Sequence, residues 1–409
     1  MKIIIANKFY YPRGGDCIYT IELEKLLKSK GHEVAIFSMQ HPSNQDSEYD
    51  GYFAGQVDFN NRSLKSLISL LVRPFGSPEV RRKFTQLVND FKPDLVHLNN
   101  IHSQLSPVIA QIAYKHGIPV VWTLHDYKLV CPAYLLLSDG KPCEACLERK
   151  WSVVNKKCIK DNLMASFVAY LEGRYWNSGK LNKITAKFIS PSNFLKGKMV
   201  MGGLDKSKIE VVHNFISASG LPELSNDRSN YYCYIGRLSS EKGIDTLLNA
   251  AASLPEYKLK IIGTGPLESD YLSKNKSEHI EFLGYKTGSE LKNLLAGSRF
   301  MVIPSTWYEN YPLTIIESLC MGTPVLGSDI GGIPELIKPG LNGMLFEAGN
   351  VTDLQDKISY LWLHPEKFES SVIAADAIDS LSSERYYDRI IDIYNSITDP
   401  ECRDGRLSL

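Results

Sequence analysis

The stretch "GGDCIYTIELEKLLKSKGHEVAIFS" (residues 14–38), entered from the apolar run "KIIIA" (2–6), decides the fold. A glycine pair opens it, and an amphipathic helical period follows. Gly31 then stops the helix, and an apolar run closes the stretch. The reading is strand, turn, helix, strand. "DLVHL" (94–98), "IPVVWTL" (118–124) and "KFISPS" (187–192) continue the alternation as further buried strands. Such alternation predicts a doubly wound parallel sheet.

The pattern restarts after "VVHNFISASGLPELSNDRSN", which is polar and loop-like. "YYCYIGRL" (231–238), "KLKIIGTG" (258–265), "IEFLGY" (280–285), "RFMVIP" (299–304) and "TPVLGSD" (323–329) read as short strands with helices between them. The expected architecture is α/β: two Rossmann-like doubly wound domains facing across a cleft, with ligands at the carboxyl ends of the strands. Residues 1–212 form the first domain, with a Cys-rich insertion at 131–158. Residues 213–230 are the linker and 231–385 the second domain. Residues 386–409 are a terminal helix and tail that pack back on the first domain.

At 409 residues the chain suits two domains rather than one. Hydrophobic residues make up 44% and charged residues 22%, enough apolar material for two cores. The net charge of zero hides an asymmetry. Residues 1–200 hold 27 Lys and Arg against 17 Asp and Glu, and the rest hold 19 against 29. One half is suited to an anion: nucleic acid, a phosphorylated substrate or an anionic membrane. No signal sequence and no apolar run of spanning length is visible, so the expectation is a cytoplasmic protein, peripheral on the inner membrane face.

The stretch "WYENYPLTIIESLCMGTPVLGSDIGGIPELI" (307–337) carries chemistry. A strand ends at Pro304, a loop follows, and a helix starts near Pro312, in whose first turn a missing N–H costs nothing. Its free N–H groups, from Asn310 to Thr314, make an anion site. Glu309 lies beside that site, placed to accept hydrogen bonds from hydroxyls. Glu317 lies one turn into the helix, within reach of a ribose or sugar diol. "YIGRLSSEKG" puts Arg237 and Lys242 in another strand-to-helix loop of the same domain, where an arginine fork and a lysine point charge suit a diphosphate. The blander reading makes all four solvated loop residues or ion-pair partners. "YYPRGGD" (10–16) and "IIGTGP" (261–266) are glycine turns after strands, weak signals taken singly.

Cys131, Cys143, Cys146 and Cys158 form C-x11-C-x2-C-x11-C. Four thiolates would close a structural zinc site; the alternative is four reduced thiols in an insertion. "NRSLKSLISLLVRPFGSPEVRRKF" (61–84) is apolar and basic by turns, suited to an anionic membrane surface or to covering the core, and "KGKMVMGGLDKSK" reinforces a basic face. His97, His102 and His213 lie at strand ends, where a lone histidine is more often structural.

Taken together these motifs resemble the retaining glycosyltransferases of family four, which have the GT-B fold. The marks stand in order: "PRGGD", "TLHD", "SPSNFLK", "VHNF", "GRLSSEKG", "GTGP", "IEFLGY", "PSTWYENYPLTIIESLCMGTPV" and "GGIPELI". The resemblance implies that Glu309 holds the donor sugar's hydroxyls and Glu317 the ribose. Backbone groups of Asn310, Tyr311, Pro312 and Leu313 would bind sugar and diphosphate, and Arg237 and Lys242 the diphosphate. Gly14, Gly15 and Gly263 would line the donor, Phe282 and Leu283 its base, and His125 would touch the sugar. Asn310-Tyr311-Pro312 stands where the family often has Phe-Gly, so the bulkier Tyr311 alters donor fit. The implied reaction is a hexosyl transfer by front-face displacement with retention. It would need no metal or cofactor for the chemistry, only the cations of Arg237 and Lys242. The donor would be UDP- or GDP-linked and the acceptor a saccharide or a lipid-linked sugar, in polysaccharide or glycoconjugate synthesis. A nucleotide-sugar epimerase of the same fold and a noncatalytic nucleotide-sugar-binding partner are the alternatives. Nucleic acid is not an expected partner, since no reading motif accompanies the basic half.

Overall fold

The computed structural model describes residues 1–56, 71–216, 221, 224, 228–275 and 277–399. The chain divides into two compact units. One comprises residues 1–136, 143–213 and 386–409; the other comprises 137–142 and 214–385.

The first unit is built on six parallel strands: β1 (Lys2–Ala6), β2 (Glu33–Phe37), β3 (Leu95–Leu98), β4 (Val120–Thr123), β7 (Lys187–Ser190) and β8 (Ile209–Val211). They lie in the order β2-β1-β3-β4-β7-β8. The register is set by β1, where Ile3 faces Val34 on one side and Leu95 on the other. Ile3, Ile4 and Ile5 are wholly buried, as a parallel strand covered on both faces requires. Between β4 and β7 the chain inserts a two-stranded hairpin, β5 (Leu137–Ser138) and β6 (Lys141–Pro142), and four helices, the longest being Leu163–Tyr175. β8 ends at Val211, the first residue of the segment that reads as polar in the sequence.

The second unit repeats the plan with β9 (Tyr232–Ile235), β10 (Leu259–Ile262), β11 (Ile280–Gly284), β12 (Met301–Ile303), β13 (Val325–Ser328) and β14 (Gly343–Phe346). The order is β11-β10-β9-β12-β13-β14, all parallel. Strand order therefore reverses between β9 and β12. In such sheets ligands bind beyond the carboxyl ends of the strands at that reversal.

One segment differs from its sequence reading. Arg228 lies in the expected linker, yet its guanidinium donates to Ala296 O and Ser298 O at 2.9 Å and to Thr323 Oγ1 at 2.7 Å. The end of that segment is thus fastened to the loops that enter β12 and β13. The terminal helix, Ser383–Thr398, buries Tyr386, Ile390, Ile393 and Tyr394. Its Tyr394 hydroxyl lies 2.5 Å from His97 Nδ1, and the Tyr387 hydroxyl 2.9 Å from His32 Nε2.

Candidate active site

The loop leaving β12 brings Glu309 to the reversal point. Ser305 Oγ and Lys242 Nζ both donate to Glu309 Oε1 at 2.7 Å. The backbone is held as firmly as the side chain, because Gly332 N donates to Glu309 O at 2.7 Å. A Cβ at Gly332 would lie 1.8 Å from the Asn310 carbonyl oxygen, so only glycine permits this approach. Lys242 arrives by the same means. Gly243 has φ of +71°, and a Cβ there would lie 1.8 Å from Pro304 O. The turn after β9 thus rests directly on the end of β12. Burial pushes the Glu309 carboxyl up, but the Lys242 ammonium and the hydrogen bonds from Lys242 and Ser305 more than offset this and hold it below its ordinary range.

Arg237 sits at the start of the same β9 turn. It pairs with Glu241, whose Oε1 also accepts from Ser239 Oγ at 2.7 Å. Its side chain is 62% exposed, whereas that of Lys242 is 23% exposed. Glu241 and Ser239 therefore steer a cation that faces solvent. Gly263 and Gly265 explain the shape of this turn. A Cβ on Gly263, at φ of +135°, would fall 2.0 Å from Gly236 O, and one on Gly265 2.3 Å from Leu238 O. Gly263 is required by the packing of the loop that carries Arg237.

Glu317 lies in the helix Leu313–Cys320. Burial pushes its carboxyl up to about 7, with Lys292 pulling the other way. Pro312 is the residue capping this helix rather than a member of its first turn. The Tyr311 ring is buried in the second unit's core. Its carbonyl accepts from Asn214 Nδ2 at 3.1 Å. Phe282 faces Ile261 across the β10–β11 pair, and Leu283 is passed over by the register shift that follows. Both are partly buried against the core.

Gly14, Gly15 and His125 belong to the first unit. Gly14 caps the helix Gly15–Ser29 in an extended conformation, φ −168°. The nearest atom to a Cβ built there is Asp16 Oδ1 at 3.6 Å, so nothing within the chain demands glycine at 14. His125 Nε2 lies 2.9 Å from Asn99 Oδ1, and the Tyr19 ring meets it edge-on. Burial is the main force that lowers His125 to about 4; Asp16 opposes and Lys8 assists. The imidazole is neutral at physiological pH. His97 is wholly buried between Thr123 Oγ1 and the Tyr394 hydroxyl, His102 stacks on Trp122, and His213 faces Pro191 O.

The four cysteines are free thiols. Cys131 is lowered to about 6, chiefly by the hydrogen bond from Cys146, which is itself raised. Cys143 and Cys158 are half-buried. Among the described residues no three His, Cys, Asp or Glu side chains are grouped to hold a metal ion. Cys131 and Cys146 share a hydrogen bond, and Cys158 lies close enough to Cys131 and Cys143 for each to raise its thiol. Of the apolar-basic segment 61–84, residues 61–70 lie outside the described residues. In the remainder, Arg73 is buried and donates to Gln104 O at 2.7 Å, and the helix Pro78–Phe91 turns Val80, Phe84 and Leu87 into the core. That part covers the core. No described helix is long and apolar enough to cross a membrane.

The structure thus gathers Arg237, Lys242 and Glu309 around the reversal point of one sheet. It adds Ser239, Glu241, Ser305 and Asn214, which the sequence reading missed. Only the "SSE" inside "GRLSSEKG" hinted at the first two of these. Two doubly wound units, each on its own six-stranded parallel sheet, are the class of protein called GT-B. Family comparison says which. Residues 13–219 match the Glycosyltransferase Family 4 profile and residues 222–375 the profile of Glycosyl transferases group 1. The chain belongs to glycosyltransferase family 4 and is a glycosyltransferase. It is 26% identical over 355 residues to an uncharacterized 42.6 kDa protein in the cps region of Klebsiella pneumoniae, covering 82% of this chain and 87% of that one. It is 26% identical over 213 residues to the lipopolysaccharide 1,6-galactosyltransferase of Salmonella typhimurium, covering 48% and 56% of the two chains. Among solved structures, Anabaena Alr3699/HepE in complex with UDP-glucose superposes with a TM-score of 0.69 at 20% identity, over 97% of this chain and 100% of that one.

Proposed function

We propose that the protein transfers a hexose from a nucleotide diphosphate sugar, with retention and without a catalytic metal, to a saccharide or lipid-linked acceptor in polysaccharide or glycoconjugate synthesis. The observation that carries this reading is the Lys242–Glu309–Ser305 cluster at the reversal point of the second sheet. Lys242 and Arg237 are assigned to the diphosphate, where they stabilise the charge that grows as the anomeric C–O bond breaks. Glu309 is assigned to the sugar hydroxyls and Glu317 to the ribose. Backbone groups of Asn310 to Leu313 take sugar and diphosphate, and Phe282 and Leu283 take the base. In the first unit, Gly14 and Gly15 are assigned to the donor, Gly15 at its diphosphate, and His125 to the sugar near the reacting carbon. The departing phosphate oxygen accepts the acceptor's hydroxyl proton as the new glycosidic bond forms on the same face. UDP is the preferred carrier, because the similar HepE structure holds UDP-glucose; GDP is the second choice. The protein is assigned to the cytoplasmic side, peripheral on the inner membrane face.

Thermal shift with UDP, GDP and ADP, followed by turnover with the matching sugar conjugates, tests the reading. One nucleotide should stabilise the protein, and NMR of the product should show the donor's anomeric configuration kept, in EDTA as well as without it. An inverted product or activity lost in EDTA refutes the mechanism. Interconversion of donor epimers without transfer makes the protein an epimerase, and binding without turnover on any acceptor makes it a noncatalytic binder.

A further inference from the structure

The helix Leu163–Tyr175 shows two unlike faces. Inward it places Ser166, Ala169 and Glu172, all buried. Outward, Leu163, Phe167, Leu171 and Tyr175 recur at every fourth residue, and each is between 37% and 57% exposed. Residues at that spacing form one stripe along a helix. Thirteen residues give a stripe about 20 Å long. Met164, 69% exposed, widens it at one end. The exposed Trp151 ring joins it edge-on to Phe167, with centroids 6.1 Å apart. At the other end Phe75 meets Tyr175 edge-on at 5.5 Å, beside the exposed Leu71 and Val72. An apolar surface this continuous marks a docking site.

The surrounding charge identifies the occupant. Residues 149–183 carry eight Lys and Arg, of which Lys150 turns inward to Val130 O, against Asp161 and Glu172 alone. Glu172 points inward and is neutralised by Lys128 at 2.8 Å, so it adds no negative charge to the outer face. Lys156, Lys157 and Lys160 are exposed just ahead of the helix. Lys180 Nζ lies 3.7 Å from the centre of the Tyr175 ring at its far end. A stripe of Leu, Phe and Met flanked by Trp and Tyr and bordered by lysines matches the interface of an anionic bilayer. A protein groove of neutral charge would have no use for the lysines.

We propose that this helix lies on an anionic lipid surface. The same helix is fastened to the loop that carries His125. Glu172 binds Lys128, and Gly173 lies so close to Pro132 that a Cβ would sit 3.1 Å from its ring. Docking therefore holds that loop against the bilayer, where a lipid-linked acceptor would be presented. Only this last step rests on the transferase reading above; the docking does not.

Co-sedimentation with vesicles of phosphatidylcholine containing about a third phosphatidylglycerol, against pure phosphatidylcholine, tests it. The wild type should partition at least tenfold more strongly to the anionic vesicles, and high salt should weaken this. Phe167→Ser with Leu171→Ser should lose at least fivefold of the binding, and so should Lys156→Glu with Lys157→Glu. All four sites are exposed, and melting curves check that the variants fold. Nucleotide-induced thermal shifts should be the same in wild type and variants. No binding by the wild type, equal binding to neutral vesicles, or full binding by both variants overturns the proposal. So does an oligomer that the Ser variant dissociates, because the stripe is then a contact between copies. Absence of any nucleotide shift in the wild type instead counts against the transferase reading and leaves the docking result standing.

Discussion

Lys242 Nζ stands 2.7 Å from Glu309 Oε1, and the two residues come from turns after non-consecutive strands, β9 and β12. Each holds the other in the state the proposed reaction needs. The ammonium keeps the carboxylate ionised, and the carboxylate anchors the ammonium at the strand ends.

Lys242→Met should therefore lower kcat/KM by about 100-fold or more, the scale for losing one preorganised charge donor. It should also destabilise the fold by up to about 3 kcal/mol, because the buried Glu309 is left without its cation. Adding Glu309→Gln should recover part of the stability and none of the activity. Denaturant titration and steady-state kinetics on the three variants measure this. Near-normal turnover in Lys242→Met would remove its assigned role.

Glu317 predicts a pH dependence with a definite sign. Its carboxyl is raised by burial to about 7 in the fold against an ordinary value of 4.5. Its contribution to stability is thus full below pH 4.5 and lost as pH rises through 7. Glu317→Gln should match the wild type near pH 4.5 and exceed it at pH 8 by at most about 2 to 3 kcal/mol. If ribose hydroxyls bind this carboxylate, they favour its ionised form. Nucleotide binding near pH 6.5 should then release protons, read by calorimetry in buffers of different ionisation enthalpy. An unchanged proton count in Glu317→Gln would show that the ribose lies elsewhere.

Gly332→Ala forces a methyl group to within 1.8 Å of Asn310 O. The loop carrying Glu309 must shift, so both melting temperature and nucleotide binding should fall. Gly14→Ala is the contrast, because its Cβ has room within the chain. That variant should keep its melting temperature and lose turnover if a donor approaches there. Equal stability losses in the two variants would contradict the geometry.

His125, lowered to about 4 by burial, should contribute no limb to the pH profile of kcat/KM between pH 5.5 and 8. His125→Asn should cut kcat without shifting the profile. A limb near pH 6.5 that vanishes in this variant would mean the imidazole titrates in the working enzyme.

Both doubly wound sheets were legible in the sequence, because a parallel strand buried on both faces is a run such as "KIIIA" and its helix a periodic stretch ended by glycine. Local signals of this kind also marked Glu309, Arg237 and Lys242 as residues at strand-to-helix turns and Glu317 as one turn into a helix. β8 and β14 were missed, being short strands without such runs, and the anchoring of Arg228 lay hidden in a segment of linker composition.

What the sequence determined by itself was the alternation of elements, the family and the chemical types at the site, since each is written in residues near one another along the chain. Tertiary structure alone decided which charges pair. It placed Glu309 against Lys242, 67 residues away, gave Arg237 a partner in Glu241, sent the Tyr311 ring into the core and left the Leu163–Tyr175 stripe outside. Pairing and burial depend on which loops the strand order brings together, and composition and spacing carry no record of that order.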